Sequence, residues 1–242
     1  VLQACARIPN VLPSDLERQL DNPIWSCLMT RHAHLALGEG GARRYPSVIS
    51  PLTGLSGSGS EVVAGLEALV DVGDDIGTFG HRTPALPANW ETLKESRITQ
   101  MIRVDNAPLP EGDVDVVRLD GNDVDEMLAL VELTQPGPFR KRTLELGTYI
   151  GIREGGRLVA MAGERMWVGD CREASAICTH PDAWGRGHAR ALIGRVVNRM
   201  LRGGQTPFLH VYSTNTRAID LYLALGFVRR AEFTLLHARR IG

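Results

Sequence analysis

The clearest periodicity in the chain is helical, with Ala189, Leu192, Ile193, Val196, Val197, Met200 and Leu201 recurring at the three- and four-residue spacing of one helix face. The opposite face carries Arg190, Arg195, Arg199 and Arg202. A second amphipathic helix is predicted behind Asn215 or Thr214 as cap, with Ala218, Leu221, Tyr222 and Leu225 on one side and Gly226 at the left-handed position that ends it. Residues 207–212, between the two, read as a strand. Upstream, residues 114–119 predict a strand, followed by a helix capped by Asn122 or Asp123 with Val124, Met127, Leu128 and Val131 on its buried face. The apolar runs 148–153 and 157–167 are joined by Glu154, Gly155 and Gly156, a hairpin turn, and residues 172–179 supply a third strand. Residues 227–236 close the chain as another. This order predicts an α/β fold, a mixed, mainly antiparallel sheet with packed helices.

The first part of the chain has weaker patterning. A short helix is expected from Ser14 to Leu20, and another with Val62, Leu66, Leu69 and Val70 on one face, closed by Gly73. Residues 38–41 and 56–60 are glycine-rich loops, and residues 97–104 alternate weakly as a strand. Residues 105–113 hold two prolines and a glycine with little to bury, which places a domain boundary there. The expected organisation is therefore a smaller N-terminal α+β domain at 1–105 and a second domain at 106–242.

With 242 residues, 43% of them hydrophobic, the chain has enough apolar surface for a core in either arrangement. The formal net charge of −1 argues against a general nucleic-acid or membrane-surface role. Positive charge is instead local, since residues 183–219 contain six arginines, no lysine and no acid. No apolar run approaches the ~20 residues of a membrane helix, and no charged-then-apolar leader stands at the start. Cys5, Cys27, Cys171 and Cys178 form no paired framework, which fits free thiols in the cytoplasm. His32 and His34 lack further ligands at suitable spacing, so no metal is expected.

The candidate chemistry centres on residues 177–190, where Ile177, Cys178 and Thr179 end a strand and Gly185, Arg186, Gly187, His188, Ala189 and Arg190 make a glycine turn that opens the arginine-bearing helix. Glycines remove the β-carbons that would hold an anion off the backbone, and the first helical turn leaves amide donors unpaired. Those amides, the positive end of the helix dipole, Arg186 and Arg190 all favour a phosphate or pyrophosphate.

The stretch Trp184-Gly185-Arg186-Gly187-His188-Ala189 resembles the acyl-CoA-binding turn of the GNAT superfamily of N-acetyltransferases, with Gly187 and Ala189 on pattern and Trp184 in place of an arginine or glutamine. Asn215, Ala218, Leu221, Tyr222, Leu225, Gly226 and Phe227 resemble the second motif of that family at the expected distance downstream. The resemblance covers about half of the chain. It implies an N-acyltransferase that moves an acetyl or other short acyl group from acetyl-CoA, or another acyl-CoA, directly to a primary amine. It also implies a cosubstrate site at Ile177, Cys178, Thr179, Gly185, Arg186, Gly187, His188, Ala189, Arg190, Asn215 and Ala218, with the pantetheine arm along the first strand and the pyrophosphate on the turn. Tyr222 matches the proton donor to the leaving thiolate. By analogy with tandem-domain relatives such as glycine N-acyltransferase, residues 1–105 are expected to be a degenerate copy of the same fold. The acceptor implied is a small-molecule or peptide amine.

A base is also needed, and Glu173 is the candidate, on the expectation that partial burial raises its pKa. Plainer readings stand beside these. Tyr222 also fits a core aromatic, although its place in the second motif favours catalysis, Glu173 fits a partner of Arg172 or Arg165 on an exposed sheet face, and Arg195, Arg199 and Arg202 fit a solvated face. Cys178 reads as a small buried hydrophobe rather than a nucleophile. At the level of function, the alternative to an enzyme is a non-catalytic acyl-CoA-binding or regulatory module.

Overall fold

The computed structural model describes residues 12–242, so Cys5 lies outside the described residues. In chain order the elements are α1 (Ser14–Asp21), α2 (Pro23–Met29), β1 (Ala42–Arg44), β2 (Thr53–Leu55), α3 (Ser60–Leu69), β3 (Asp75–Gly80), β4 (Trp90–Ile102) and β5 (Val117–Leu119). They continue with α4 (Val124–Thr134), β6 (Tyr149–Glu154), β7 (Arg157–Val168), β8 (Cys171–Thr179), α5 (His188–Arg202), β9 (Thr206–Tyr212), α6 (Thr216–Ala224) and β10 (Val228–Arg240).

Eight strands form one sheet in the order β3-β10-β4-β9-β8-β7-β6-β5, and β1 and β2 form a separate antiparallel pair. All neighbours in the large sheet are antiparallel except β8 and β9, which the α5 crossover makes parallel. The architecture is the mixed, mainly antiparallel sheet with packed helices that the patterning predicts. The boundary expected at residue 105 falls within this sheet, because β3 and β4 precede it and β4 is inserted between β9 and β10. Residues 12–105 keep only the β1–β2 pair as a sheet of their own.

Two differences from the sequence reading have local causes. The strand expected at 114–119 is confined to Val117–Leu119, and Asp123, one of the two expected caps, stands at the N-cap position of α4 but makes no side-chain cap bond there, because its carboxylate closes the short turn before it, which Asp120 caps. Asp120 accepts from the Asn122 N–H at 2.8 Å while the Asp123 carboxylate accepts from the Asp120 N–H at 2.8 Å. This reciprocal capping box starts the turn two residues early. The strand expected at 97–104 runs instead from Trp90, since its first half pairs with β10 over Trp90–Arg97.

The sheet is covered on both faces. Leu192, Ile193, Val196, Val197 and Met200 of α5, Ile219 and Tyr222 of α6, and Leu225 just past its end pack on Met101, Leu209 and Val211 of one face. On the other, Leu20, Ile24, Cys27 and Leu28 of α1 and α2 pack on Ile98, Ile102, Phe208 and Phe233. The alternation Phe208/Leu209 and Met101/Ile102 between these two cores is the period-two pattern of a strand buried on both sides.

Candidate functional site

The site is made by a divergence of strands. β8 and β9 pair for three residues, Cys171–Glu173 against Thr206–Phe208, and then separate. Beyond that point β9 follows β4, from Phe208↔Ile102 to Tyr212↔Ile98, while β8 follows β7 to Thr179↔Ala160. A bulge helps β8 turn away, with Ala176 at φ 51° between the Gly163↔Ser175 and Met161↔Cys178 pairs. From Ala174 onward β8 therefore has a strand partner on one side only. A cleft of about 1100 Å³ occupies the gap and runs on across the sheet face formed by β9, β4, β10 and β3.

At one end of the cleft stands the glycine turn. Gly185 and Gly187 have φ of 79° and 81°, the left-handed region that side chains resist, and a Cβ built on either would meet nothing within 4 Å. The first intrahelical bond of α5 runs from Ala191 N–H to Gly187 O at 3.1 Å, so the N–H groups of His188, Ala189 and Arg190 have no acceptor inside the helix. Thr179 Oγ1 and His188 Nδ1, both in residues that line the cleft, are buried without a hydrogen-bond partner. Free amides, open space over two glycines and unpartnered polar atoms along one wall fit the pyrophosphate and pantetheine of an acyl-CoA.

The turn itself is closed by the residue that departs from the family pattern. Trp184 Nε1–H donates to Thr179 O at 2.8 Å, and the Arg217 guanidinium lies 5.2 Å from the indole centroid. The indole thus makes a polar contact across the turn with its N–H.

The residues expected at the cosubstrate are mostly brought together. Ile177, Cys178, Thr179, Gly185, Gly187, His188, Ala189, Arg190, Asn215, Ala218 and Tyr222 all line the cleft. Asn215 and Ala218 are also tied to each other, the Asn215 side chain accepting from the Ala218 N–H at 3.1 Å as the N-cap of α6. Arg186 is placed elsewhere: it bonds Glu154 at 2.6 Å and Asp182 O at 3.0 Å and is not part of the cleft wall. His188 meets the same Glu154 through Nε2 at 2.9 Å. Arg195 and Arg202 face Glu111, and Arg199 bonds Glu164 at 3.2 Å, so these three are ion-paired rather than simply solvated. Arg190 and Arg217, by contrast, make no ion pair among the described residues and both line the cleft. Cys178 is buried and its thiol is pushed up to about 11 by that burial, which suits a packed residue rather than a nucleophile.

Tyr222 lies on the inner face of α6, 6% exposed, with its ring 6.0 Å from that of Phe227. Burial raises its pKa, so the phenol keeps its proton at neutral pH.

Glu173 requires a correction. It is fully buried, not partly so, and its pKa is lowered rather than raised. Burial opposes ionisation, but the Arg165 guanidinium outweighs it and holds the carboxyl at about 2. Arg165 donates to both oxygens at 2.7 and 2.8 Å, His210 Nδ1 adds a bond at 2.8 Å, and the Met166 N–H a longer one at 3.3 Å. Arg165 and His210 line the cleft, and Glu173 stands behind them. The network continues: Arg230 bonds Gln100 Oε1 at 2.7 Å, which leaves Gln100 Nε2 to donate to Leu20 O and to His210 Nε2, both at 3.0 Å. His210 is thereby fixed as the tautomer with its proton on Nδ1, facing Glu173. Burial lowers its pKa and keeps it neutral.

The far end of the cleft went unread in the sequence. It is lined by Leu52, Phe79, Ile98 and Leu235 together with Asp75, Lys94, Arg140 and His237. The Asp75 carboxylate accepts two bonds from Arg140 Nη2, both 2.8 Å, and one from His237 Nε2 at 2.8 Å. Burial works against ionisation of Asp75, but these partners outweigh it and lower its pKa. Residues 134–140, the loop after α4, also line the cleft. The four polar residues come from four segments with no shared local motif, and only the alternation of β4 and β10 hints that Lys94 and His237 face one way.

Comparison with known proteins agrees with this geometry. The chain matches the Acetyltransferase (GNAT) family over residues 123–227. A solved structure of a GNAT-family acetyltransferase from Novosphingobium aromaticivorans DSM 12444 is 35% identical, with a TM-score of 0.83 over 91% of this chain and 98% of that one. A GCN5-related N-acetyltransferase from Kribbella flavida shares the fold at 12% identity, with a TM-score of 0.62 over 92% of this chain and 96% of that one. No curated protein matches the chain.

Proposed function

This chain belongs to the GNAT acetyltransferase family, and we propose that it is an N-acyltransferase that transfers an acetyl or other short acyl group from acyl-CoA directly to a primary amine. The observation that carries this reading is the continuity of one cleft from the glycine turn, through the β8–β9 divergence, past Tyr222, to a second chamber on the sheet face. Acyl-CoA supplies the activated thioester. The amides of residues 188–190 and the side chain of Arg190 hold its phosphates, and the unpaired side of β8 at Ile177, Cys178 and Thr179 receives the pantetheine arm as an added strand would be received. Tyr222 is the general acid: it is neutral at working pH and sits on the wall of the gap, where a departing thiolate takes a proton.

Glu173 serves this chemistry as a positioning residue. Its lone pairs are engaged by Arg165 and His210, and it fixes the floor on which β8 and β9 part. The amine proton leaves through the water of the cleft. Three cysteines, Cys27, Cys171 and Cys178, are free and buried, and among the described residues no helix is long and apolar enough to cross a membrane. The free thiols support a place of work in the reducing cytoplasm.

The test is thiol release from acetyl-CoA across a panel of primary amines. Turnover with an amine that gains the mass of an acetyl group is the expected result. Acetyl-CoA binding by calorimetry with no release on any amine would instead support a non-catalytic binding module.

A further inference from the structure

The second chamber has a definite electrostatic character. Across β9, β4, β10 and β3, the directly opposed pairs Tyr212–Ile98, Lys94–His237 and His237–Gly77 put these residues on one face of the sheet. Lys94 lies four residues along β4 from Ile98, yet its ammonium reaches back to within 4.3 Å of the Tyr212 ring centroid, at the end of the strand that borders the β8–β9 gap. Lys94 makes no ion pair among the described residues. Arg140 uses a single nitrogen, Nη2, for both of its bonds to Asp75, so its Nη1 and Nε donors are unspent, and its side chain is 42% exposed.

The acids of the cleft are consumed. Asp75 is taken by Arg140 and His237, and Glu173 by Arg165 and His210. Arg140 and Lys94 against the single Asp75 carboxylate leave an uncompensated positive charge, and Arg165 and Glu173 cancel. The walls between are apolar, from Leu52, Phe79, Ile98 and Leu235, so this charge is less screened than at an open surface. An acceptor with a second cationic group, such as a polyamine, would meet like charge here. A complementary acceptor brings a negative group a short distance from its amine.

We propose that the acceptor is a small amine carrying a carboxylate, and that Lys94 and the free edge of the Arg140 guanidinium hold that carboxylate. Arg140 offers unspent Nη1–H and Nε–H donors for a charge-assisted bond to a carboxylate oxygen, and Lys94 offers a mobile point charge beside the reacting end. This rests on the acyltransferase reading above, and deepens it by naming the acceptor class.

The experiment measures kcat/KM for thiol release with α- and ω-amino acids against their carboxamides and against aminoalkyl phosphates and polyamines. Wild type is compared with Lys94→Met and Arg140→Gln. The expected result is a preference of about tenfold or more for a free carboxylate over its carboxamide, falling toward one in either variant. Equal rates for acid and carboxamide, a preference for aminoalkyl phosphates or polyamines, or a preference unmoved in both variants would overturn the proposal. In parallel, the same amino acids and carboxamides are titrated by calorimetry into protein saturated with CoA. Should no amine be turned over, the acyltransferase reading fails, and this arm decides the subsite separately. Acid-selective binding weakened by Lys94→Met sustains it, and no acid-selective binding refutes it.

Discussion

Glu173 and Arg165 are a buried pair that is held together by two short bonds and by a neutral histidine on the remaining side. Such a pair is weak evidence of net stability, but breaking it leaves a charge with no partner and no water. Glu173→Gln is expected to lower unfolding free energy by about 3–5 kcal/mol in urea titration. A change under 1 kcal/mol, by the same order-of-magnitude reasoning, would show that Arg165 finds other partners. Two buried groups, His32 and Glu173, set the acid limit of the fold. His32, buried and bonded to the Tyr45 hydroxyl at 2.9 Å, is brought down to about 4 by its burial, with Arg172 adding to the effect. Its folded pKa lies below the unfolded value of 6.5, so the unfolded chain takes up a proton first and stability falls as pH drops from 6.5 to about 4. Glu173 extends the decline: its folded value of about 2 lies below the ordinary 4.5, and the stability present above 4.5 is lost as pH falls through that range. His32→Asn is expected to remove about 3 kcal/mol of the pH dependence between 6.5 and 4, read from unfolding midpoints. An unaltered pH profile would place the titrating group elsewhere.

At the scale of elements, α5 and α6 were the most legible parts of the chain. Their apolar spacing, caps and glycine stops are local, and the structure starts and ends them within a residue or two of the sequence reading. The glycine turn was legible for the same reason. Its two left-handed residues separate two effects by substitution. Gly187→Ala forces a side chain into φ 81° and is expected to cost about 1–2 kcal/mol of stability. Gly187→Glu adds bulk and negative charge at the proposed phosphate site, and is expected to abolish acetyl-CoA binding by calorimetry. Retained affinity in the glutamate variant would remove the turn from the cosubstrate site. What the sequence concealed was long-range. β4 finds its partners in β9 and β10, more than a hundred residues downstream, and weak alternation in residues 97–104 says nothing about which edge it will fill. The chemistry of Glu173 was hidden likewise, since its pKa depends on Arg165 across a β7–β8 pair and on His210 across a parallel one. The second chamber needed both, with Asp75, Lys94, Arg140 and His237 meeting only once the sheet is complete.

The eight-stranded sheet is shared by both parts of the chain. β4 closes the gap between β9 and β10, and its loss would expose two strand edges and strip Ile98, Met101 and Ile102 from both cores. A fragment of residues 106–242 is therefore expected not to fold cooperatively, as followed by circular dichroism during thermal unfolding. A sharp transition in that fragment would show an autonomous domain after the linker. Placing N-terminal strands in the same sheet also unites the two ends of the cleft, since the turn belongs to residues after the linker and the second chamber draws on residues before it. The proposed transfer places Tyr222 in this gap as the donor of the proton to the thiolate. It is checked by kcat and acetyl-CoA affinity measured together for Tyr222→Phe. The expected result is a kcat lower by roughly 10² or more with affinity unchanged, and an unchanged kcat would remove Tyr222 from the chemistry.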